Sequence, residues 1–100
     1  MVNLVALQMT SAPSVEENLD TVANEMASAK IEKDSLVVLP ECFAYFGGKD
    51  KGQLAVAETK GEGEIQRRLS ALAAQYQCYL VSGTFPVKTN SPENFSAACM

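Results

Sequence analysis

The sequence predicts an α/β fold built on a mainly parallel sheet, in the order strand, helix, strand, helix, strand, strand. Three short apolar runs, residues 4–7, 36–39 and 79–85, have the length and composition of β-strands. Two stretches with helical periodicity separate these runs. A helical crossover between two strands is the usual connection in a parallel sheet, and this pattern therefore favours parallel pairing.

The first strand and the first helix have the clearest local signals. Residues 4–7 form a continuous apolar run, which we expect to be buried on both faces as parallel strands are. Ser14 followed by Glu17 predicts a helix start, because these side chains satisfy free backbone N–H groups at a helix N-terminus. The helix should end near residues 30–33. Its apolar stripe consists of Val15, Leu19, Val22 and Met26. Its polar side consists of Glu16, Asn18, Asp20 and Asn24.

The second strand leads into a long irregular segment. Residues 36–39 form an apolar run that stops at Pro40, which lacks the N–H group that a strand ladder needs. A glycine-rich loop follows over residues 42–63, with a short helix expected near residues 53–58. Loops of this length inside a compact domain are more often functional than idle, which draws attention to this segment.

The last part of the chain predicts one more helix and two more strands. The third strand should cover residues 79–85 and end at Pro86, and a polar turn over residues 88–93 should lead to a fourth strand that starts near Phe95. The helix before them carries its apolar positions at Ile65, Leu69, Leu72, Ala73 and Tyr76.

Two features indicate that residues 1–100 are the N-terminal portion of one larger domain. The two helices can cover one face of the sheet, whereas the strands are apolar on both faces. The fourth strand also stops at Met100 without a turn signal. A small complete α/β domain with an exposed or dimeric face is the alternative.

Composition excludes several classes of protein. The hydrophobic fraction of 47% is that of a globular chain, and 8 basic against 12 acidic residues give a net charge of −4, which argues against a nucleic-acid partner. The absence of histidine removes Ser–His and Cys–His nucleophile pairs and most zinc sites. The sequence predicts a cytoplasmic protein on three grounds. Its three cysteines lack CxxC spacing, its apolar runs are far shorter than the ~20 residues of a membrane span, and it shows no secretory leader pattern. The glycine-rich loop matches no phosphate-binding fingerprint. Neither a cofactor nor a metal is expected.

Glu41 is the candidate catalytic residue. It follows a buried strand and a proline, and should therefore project from the carboxyl end of the sheet, where α/β folds form their ligand crevices. Apolar neighbours should partly desolvate its carboxylate and make it a useful general base. A solvated glutamate at a strand end is the alternative. Cys42 should point to the opposite side of the extended chain as a small core residue.

Residues 36–43, Leu-Val-Val-Leu-Pro-Glu-Cys-Phe, resemble the first catalytic motif of the nitrilase superfamily, the carbon–nitrogen hydrolases. Residues 5–9 are similar to the opening strand of that family, Asn18 lies where a helix asparagine is common in it, and residues 61–63 and 80–86 resemble two later segments. The branch that the chain most resembles contains omega-amidase and deaminated-glutathione amidase. The resemblance implies a four-layer α-β-β-α sandwich, in which a second sheet covers the face left bare here.

The resemblance also implies a reaction: hydrolysis of a small carboxamide to an acid and ammonia by a Glu-Lys-Cys set, through a cysteine thioester. Glu41 matches the glutamate of this set, and the lysine and cysteine are expected beyond Met100, so the 100 residues alone should be inactive. Tyr45 and Phe46 are candidates to line the substrate pocket. The alternative is that these aromatic side chains only fill space beneath a loop. The full-length protein is expected to form a homo-oligomer, with a small-molecule amide as its partner and no membrane or nucleic acid.

Two other functions stay open on the sequence. A flavodoxin-like receiver domain for signalling would need an acidic cluster at neighbouring strand ends, but the first strand is followed by Gln8, Met9 and Thr10. A thiol peroxidase would use Cys42 as its reactive thiol and would require it at a helix N-terminus.

Overall fold

The computed structural model describes residues 3–48, 52–91 and 94–99. Its elements, in chain order, are β1 (Leu4–Ala6), α1 (Val15–Ala29), β2 (Leu36–Val38), α2 (Gly52–Val56), α3 (Glu64–Tyr76), β3 (Tyr79–Val81), β4 (Phe85–Lys88) and β5 (Phe95–Ala98). The strands β1, β2 and β3 form a parallel sheet in that order, and β4 and β5 form an antiparallel pair. The predicted α/β class and the parallel pairing of the first three strands are confirmed.

The first helix, α1, begins and ends where the sequence predicts. The Ser14 hydroxyl oxygen accepts a hydrogen bond from the Glu17 backbone N–H at 3.3 Å, which satisfies one of the free donors at the helix start. The helix ends at Lys30, whose φ of 53° is left-handed. Its buried residues include the predicted Leu19, Val22 and Met26. The prediction that Asn18 faces solvent is wrong, since its side chain is 1% exposed.

The two faces of the parallel sheet have different surroundings. On one face, which we call the covered face, Val5, Val37 and Leu80 pack in one row against the core that α1 and α3 contribute to. The other face, which we call the open face, carries the alternate residues of the three strands, and each of them is half-buried or exposed. These residues are Leu4, Ala6, Leu36, Val38, Tyr79 and Val81. Leu4 is 71% exposed and Tyr79 is 67% exposed. The prediction that the strands are buried on both faces is therefore wrong for the described chain.

The predicted third strand is divided into two strands that belong to different sheets. β3 ends at Val81 and β4 begins at Phe85, so the prediction of one strand that ends at Pro86 is wrong. The break lies at Gly83, whose φ is +67° and whose backbone passes so close to the Pro40 carbonyl oxygen that a side chain there would overlap it. Pro86 lies inside β4, where the two-stranded pairing tolerates a residue without an N–H group.

The remaining elements follow the prediction with shifted boundaries. α3 buries Ile65, Leu69 and Leu72 as its periodicity predicts. The short helix α2 ends at Val56, two residues before the predicted limit of 58, and Glu58 instead forms a bridge with Val87 of β4. β5 starts at Phe95 as predicted. The predicted turn over residues 88–93 begins inside β4, and its residues 92 and 93 lie outside the described residues.

The core connects the helices, the covered face and the antiparallel pair. Phe43, which follows β2, is fully buried and meets Phe85 of β4 edge to face, with ring centroids 6.3 Å apart. This contact joins the chain after β2 to the antiparallel pair. The buried cluster consists of Leu19, Val22, Met26, Val37, Leu39, Phe43, Ala44, Ile65, Leu69, Leu72, Phe85 and Val87. Over the described ranges, no helix has both the length and the apolar character needed to cross a membrane.

Candidate active site

Glu41 lies in a turn at the carboxyl end of the parallel sheet, as the sequence predicts. The turn covers residues 41–44 and follows the last pairing contact of the β2 segment, in which the Leu39 backbone N–H donates to the Val81 carbonyl oxygen at 2.9 Å. Glu41 is exposed, so the prediction that its apolar neighbours partly desolvate it is wrong for the described chain. A carboxylate at this edge is accessible to a ligand approaching the strand ends.

An open groove of about 490 Å³, which we call the Glu41 groove, lies at this edge of the sheet. The segment after β1 and the turn after β2 form its walls, because the two strands are parallel neighbours and end on the same side. Its lining residues are Met9, Thr10, Ser11, Glu41, Cys42 and Phe46. The groove therefore combines one carboxylate, one thiol, two hydroxyl groups and apolar surface.

Phe46 and Tyr45 occupy different positions with respect to this groove. Phe46 is 59% exposed and lines it. Tyr45 is half-buried, and its hydroxyl lies where side chains at Gly48 or Gly52 would be. The Tyr45 carbonyl oxygen accepts a hydrogen bond from the Gln53 side chain at 3.0 Å. Of the two predicted pocket residues, Phe46 shares the groove with Glu41, whereas Tyr45 packs against the loop before α2.

Cys42 lies in the same groove as Glu41. We expected these neighbours to point to opposite sides, as in an extended strand, and this is wrong because the chain turns at Cys42 with a φ of 53°. A residue other than glycine in this left-handed region costs about 1–2 kcal/mol, which contacts elsewhere must offset. The Cys42 backbone N–H donates to the Thr84 hydroxyl oxygen at 2.9 Å, which supplies one such contact.

A buried asparagine connects the two walls of the groove. The Asn18 side-chain oxygen accepts from the Ala12 backbone N–H at 2.8 Å, and its amide group donates to the Ala12 carbonyl oxygen at 2.7 Å and the Ala44 carbonyl oxygen at 2.8 Å. The Ser11 hydroxyl donates to the Phe43 carbonyl oxygen at 3.0 Å across the same boundary. Helix α1 thus fixes the segment after β1 and the turn that carries Glu41 relative to each other.

Sequence reasoning missed this role of Asn18, although a signal was present. Asn18 lies four residues before Val22 and eight before Met26, so it falls within the buried stripe of the helix and not opposite to it. A polar residue inside a buried stripe requires hydrogen-bond partners, because an unpaired buried amide is costly. That conflict between polarity and position predicts a structural network.

Glu58 has a supporting role elsewhere in the fold. Its carboxylate accepts from the backbone N–H groups of Ile65 at 2.6 Å and Gln66 at 3.2 Å, and from the Gln66 side chain at 3.1 Å. These donors lie in the first turn of α3, where Gly63 occupies the N-cap position without a capping side chain. Glu58 therefore stabilises the start of α3 by its negative charge and its hydrogen bonds.

Neither Lys88 nor Cys99 lines the Glu41 groove. Both are exposed and line a separate groove at the antiparallel pair, together with Lys60. All three cysteines of the chain are free thiols. Within residues 3–48, 52–91 and 94–99, no group of three or more acidic or cysteine side chains is arranged to hold a metal ion.

The family of the chain follows from comparison with known proteins. The carbon–nitrogen hydrolase family model matches residues 4–99, and the chain therefore belongs to the carbon–nitrogen hydrolase family. Two relatives are named deaminated glutathione amidase, from Synechocystis sp. strain PCC 6803 / GT-S and from strain ATCC 27184 / PCC 6803 / Kazusa. Each is 34% identical over 82 residues, which is 81% of this chain and 29% of the relative.

These matches confirm the resemblance to the nitrilase superfamily and to its deaminated-glutathione-amidase branch. The matched residues include β1, the turn at Glu41 and both strands of the antiparallel pair. The chain spans 29% of the length of the relatives that it matches.

Proposed function

We propose that these 100 residues form the N-terminal portion of a carbon–nitrogen hydrolase that converts a small carboxamide into the corresponding acid and ammonia. The observation that carries this proposal is the position of Glu41: a carboxylate at the carboxyl edge of a parallel sheet, on a backbone turn fixed by two neighbouring segments. The family match over residues 4–99 supports the reaction class.

In the proposed mechanism, Glu41 is the general base. Its carboxylate takes the proton from a cysteine thiol beyond residue 100, and the thiolate attacks the carbon of the amide. Protonated Glu41 returns this proton to the amide nitrogen as the carbon–nitrogen bond breaks, so ammonia leaves, the carboxylate is restored and a thioester remains. A lysine ammonium, also beyond residue 100, and a backbone N–H stabilise the negative oxygen. Water then cleaves the thioester, which releases the acid and restores the thiol.

The exposure of Glu41 fits this proposal because the Glu41 groove has walls but no cover among the described residues. In the proposed enzyme, the remaining chain closes over the groove and brings the thiol and the ammonium to the carboxylate. Closure removes water from the groove, which strengthens the electrostatic interactions among the groups inside it. The apolar open face supports a further layer of structure on that side of the sheet.

The two alternative functions have less support. A reactive peroxidase thiol requires a helix N-terminus, whereas Cys42 lies in a turn and α2 begins at Gly52. A receiver domain requires acidic groups at adjacent strand ends, and the segment after β1 contributes Thr10 and Ser11 to the groove instead. Peroxide consumption that is lost in Cys42→Ser would contradict the amidase proposal.

The decisive substitution is Glu41→Gln in the full-length protein that carries these residues, because it keeps the size of the side chain and removes the base. We expect thioester formation to slow by roughly 10²- to 10⁴-fold, the usual contribution of a general base. The measurements are ammonia release from small carboxamides, including the deaminated glutathione of the relatives' name, and the acylated protein by intact mass. Glu16→Gln is the matched control, since Glu16 is an exposed glutamate in the first turn of α1.

A Glu41→Gln protein with wild-type turnover would show that Glu41 is an ordinary surface glutamate. A second experiment tests whether the nucleophile lies outside these 100 residues. The 100 residues alone should release no ammonia from any of these amides, since the nucleophile is proposed to lie outside them. Release of ammonia by this chain, lost on Cys42→Ser, would place the nucleophile inside it and contradict the proposed mechanism.

A further inference from the structure

The Thr84 hydroxyl forms a direct link between the Glu41 turn and the connection from β3 to β4. The Cys42 backbone N–H donates to the Thr84 oxygen at 2.9 Å, across 42 positions of sequence. This N–H belongs to the peptide unit that joins Glu41 to Cys42. A hydrogen bond to it fixes the orientation of the peptide plane directly after the Glu41 Cα atom.

The backbone at this point needs an external contact to keep its shape. Cys42 has a φ of 53°, which lies in the left-handed region that is energetically unfavourable for residues other than glycine. The peptide plane before Cys42 would relax toward an ordinary conformation if nothing held its N–H group. The direction of the Glu41 side chain would change with it, because both start from the same Cα atom.

Thr84 is itself held in place from both sides. Its predecessor, Gly83, lies against the carbonyl oxygens of Leu39 and Pro40, at a distance that leaves no room for a side chain. Its successor, Phe85, is buried and packs edge to face on Phe43. The hydroxyl therefore extends from a backbone segment that has little freedom to move.

We propose that Thr84 is a positioning residue, which sets the direction of Glu41 through the Cys42 N–H group. This inference rests on the proposed function of Glu41 as the general base. It distinguishes Thr84 from Asn18, whose bond to Ala44 holds the far end of the turn and whose buried network stabilises the fold as a whole. Thr84 acts on the peptide unit that carries the base.

The test compares Thr84→Val with Thr84→Ser in the full-length protein. Valine keeps the shape of the side chain but removes the acceptor, and serine keeps the hydroxyl. A base displaced by about 1 Å can cost on the order of 10²-fold in rate, so we expect kcat of Thr84→Val to fall roughly 10- to 100-fold. KM for the amide should stay within about twofold, because ground-state binding does not depend on the base, and Thr84→Ser should restore most of kcat.

A structural readout accompanies the kinetics. Hydrogen exchange of the Cys42 amide should be faster in Thr84→Val than in the wild type and in Thr84→Ser. Thr21→Val is the matched control, since Thr21 also uses its hydroxyl on a backbone group, the Glu17 carbonyl oxygen at 2.9 Å, but on α1. That control should leave kcat and the exchange of the Cys42 amide unchanged.

The outcomes separate this inference from the proposed function. Wild-type kcat in Thr84→Val together with an inactive Glu41→Gln would overturn the role of Thr84 and leave the base assignment intact. Wild-type kcat in Glu41→Gln would overturn the base assignment itself. If Thr84→Val does not fold, Thr84→Ala takes its place, and failure of both to fold would show a structural role and overturn the inference.

Discussion

The covered face and the open face of the parallel sheet have similar apolar composition but different surroundings. On the covered face, Val37 is fully buried and its row packs against the core formed with the two long helices. On the open face, Leu4 is 71% exposed and Tyr79 is 67% exposed, although they alternate with the residues of the covered face along the same strands. The comparison shows that an apolar pattern identifies a surface suited to burial. Such a surface contributes to the stability of the fold only where another element packs against it.

The largest expected effect comes from the same substitution on the two sides of the sheet. Leu19→Ala removes a fully buried side chain of α1 beneath the covered face and should lower the free energy of unfolding by about 2–5 kcal/mol. Leu4→Ala on the open face should change it by less than about 0.5 kcal/mol, because an exposed side chain loses little contact. Denaturant unfolding of the 100-residue chain measures both. Similar losses for the two variants would mean that the open face is packed in solution.

The covered side also contains a group that should make stability depend on pH. Burial raises the pKa of the Cys78 thiol above its ordinary value, and a backbone hydrogen bond at Cys78 opposes part of this increase. As the pH rises past about 8.5, the thiol of the unfolded chain loses its proton first, so the unfolded state is favoured. This contribution to stability is fully present below that pH and is lost as the pH passes through the raised pKa.

The measurement is the free energy of unfolding between pH 7 and pH 10. One proton gives at most about 1.4 kcal/mol per pH unit, and the partial exposure of Cys78 should keep the slope well below that limit. Cys78→Ser should have a smaller slope than the wild type. Cys99→Ser controls for the loss of an exposed thiol. A wild-type slope equal to that of Cys78→Ser would contradict the prediction.

The smallest effect on stability is expected from charging the open face. Leu4→Lys combined with Tyr79→Lys should change the free energy of unfolding by less than about 0.5 kcal/mol, because both side chains are already largely in solvent. The same pair should reduce self-association of the 100-residue chain, since exposed apolar patches promote contact between molecules. Sedimentation at increasing concentration measures this. Unchanged association would show that copies of the chain meet at another surface.

The helices were predictable because their signals are local. Ser14 caps α1 in the structure as the sequence predicts, and Leu19, Val22 and Met26 form its buried stripe. The third strand was not predictable in the same way. An apolar run over residues 79–85 indicates one strand, but the close approach of Gly83 to Pro40 divides it, and these residues are far apart in the sequence.

In the candidate site, too, some features were predictable from the sequence and others were not. The proline and apolar run before Glu41 predict that it lies at the end of a strand, and it does. The sequence also predicted an extended chain at Cys42, whereas a left-handed turn brings both side chains to one groove. Thr84 was not identified as a support of this turn, because the Cys42 backbone group that it binds becomes its neighbour only after the sheet has formed. Asn18 was assigned to the solvent side of α1, although its place in the buried stripe indicated a buried role.

The sequence by itself determined the helices, the parallel pairing of the first three strands and the strand end that presents a carboxylate, because capping, periodicity and chain-breaking residues act over a few positions. The tertiary structure alone decided which sheet face is covered, how the chain turns at Glu41 and which polar groups hold that turn. These features depend on contacts between segments dozens of residues apart, and such contacts depend on the packing of the whole chain.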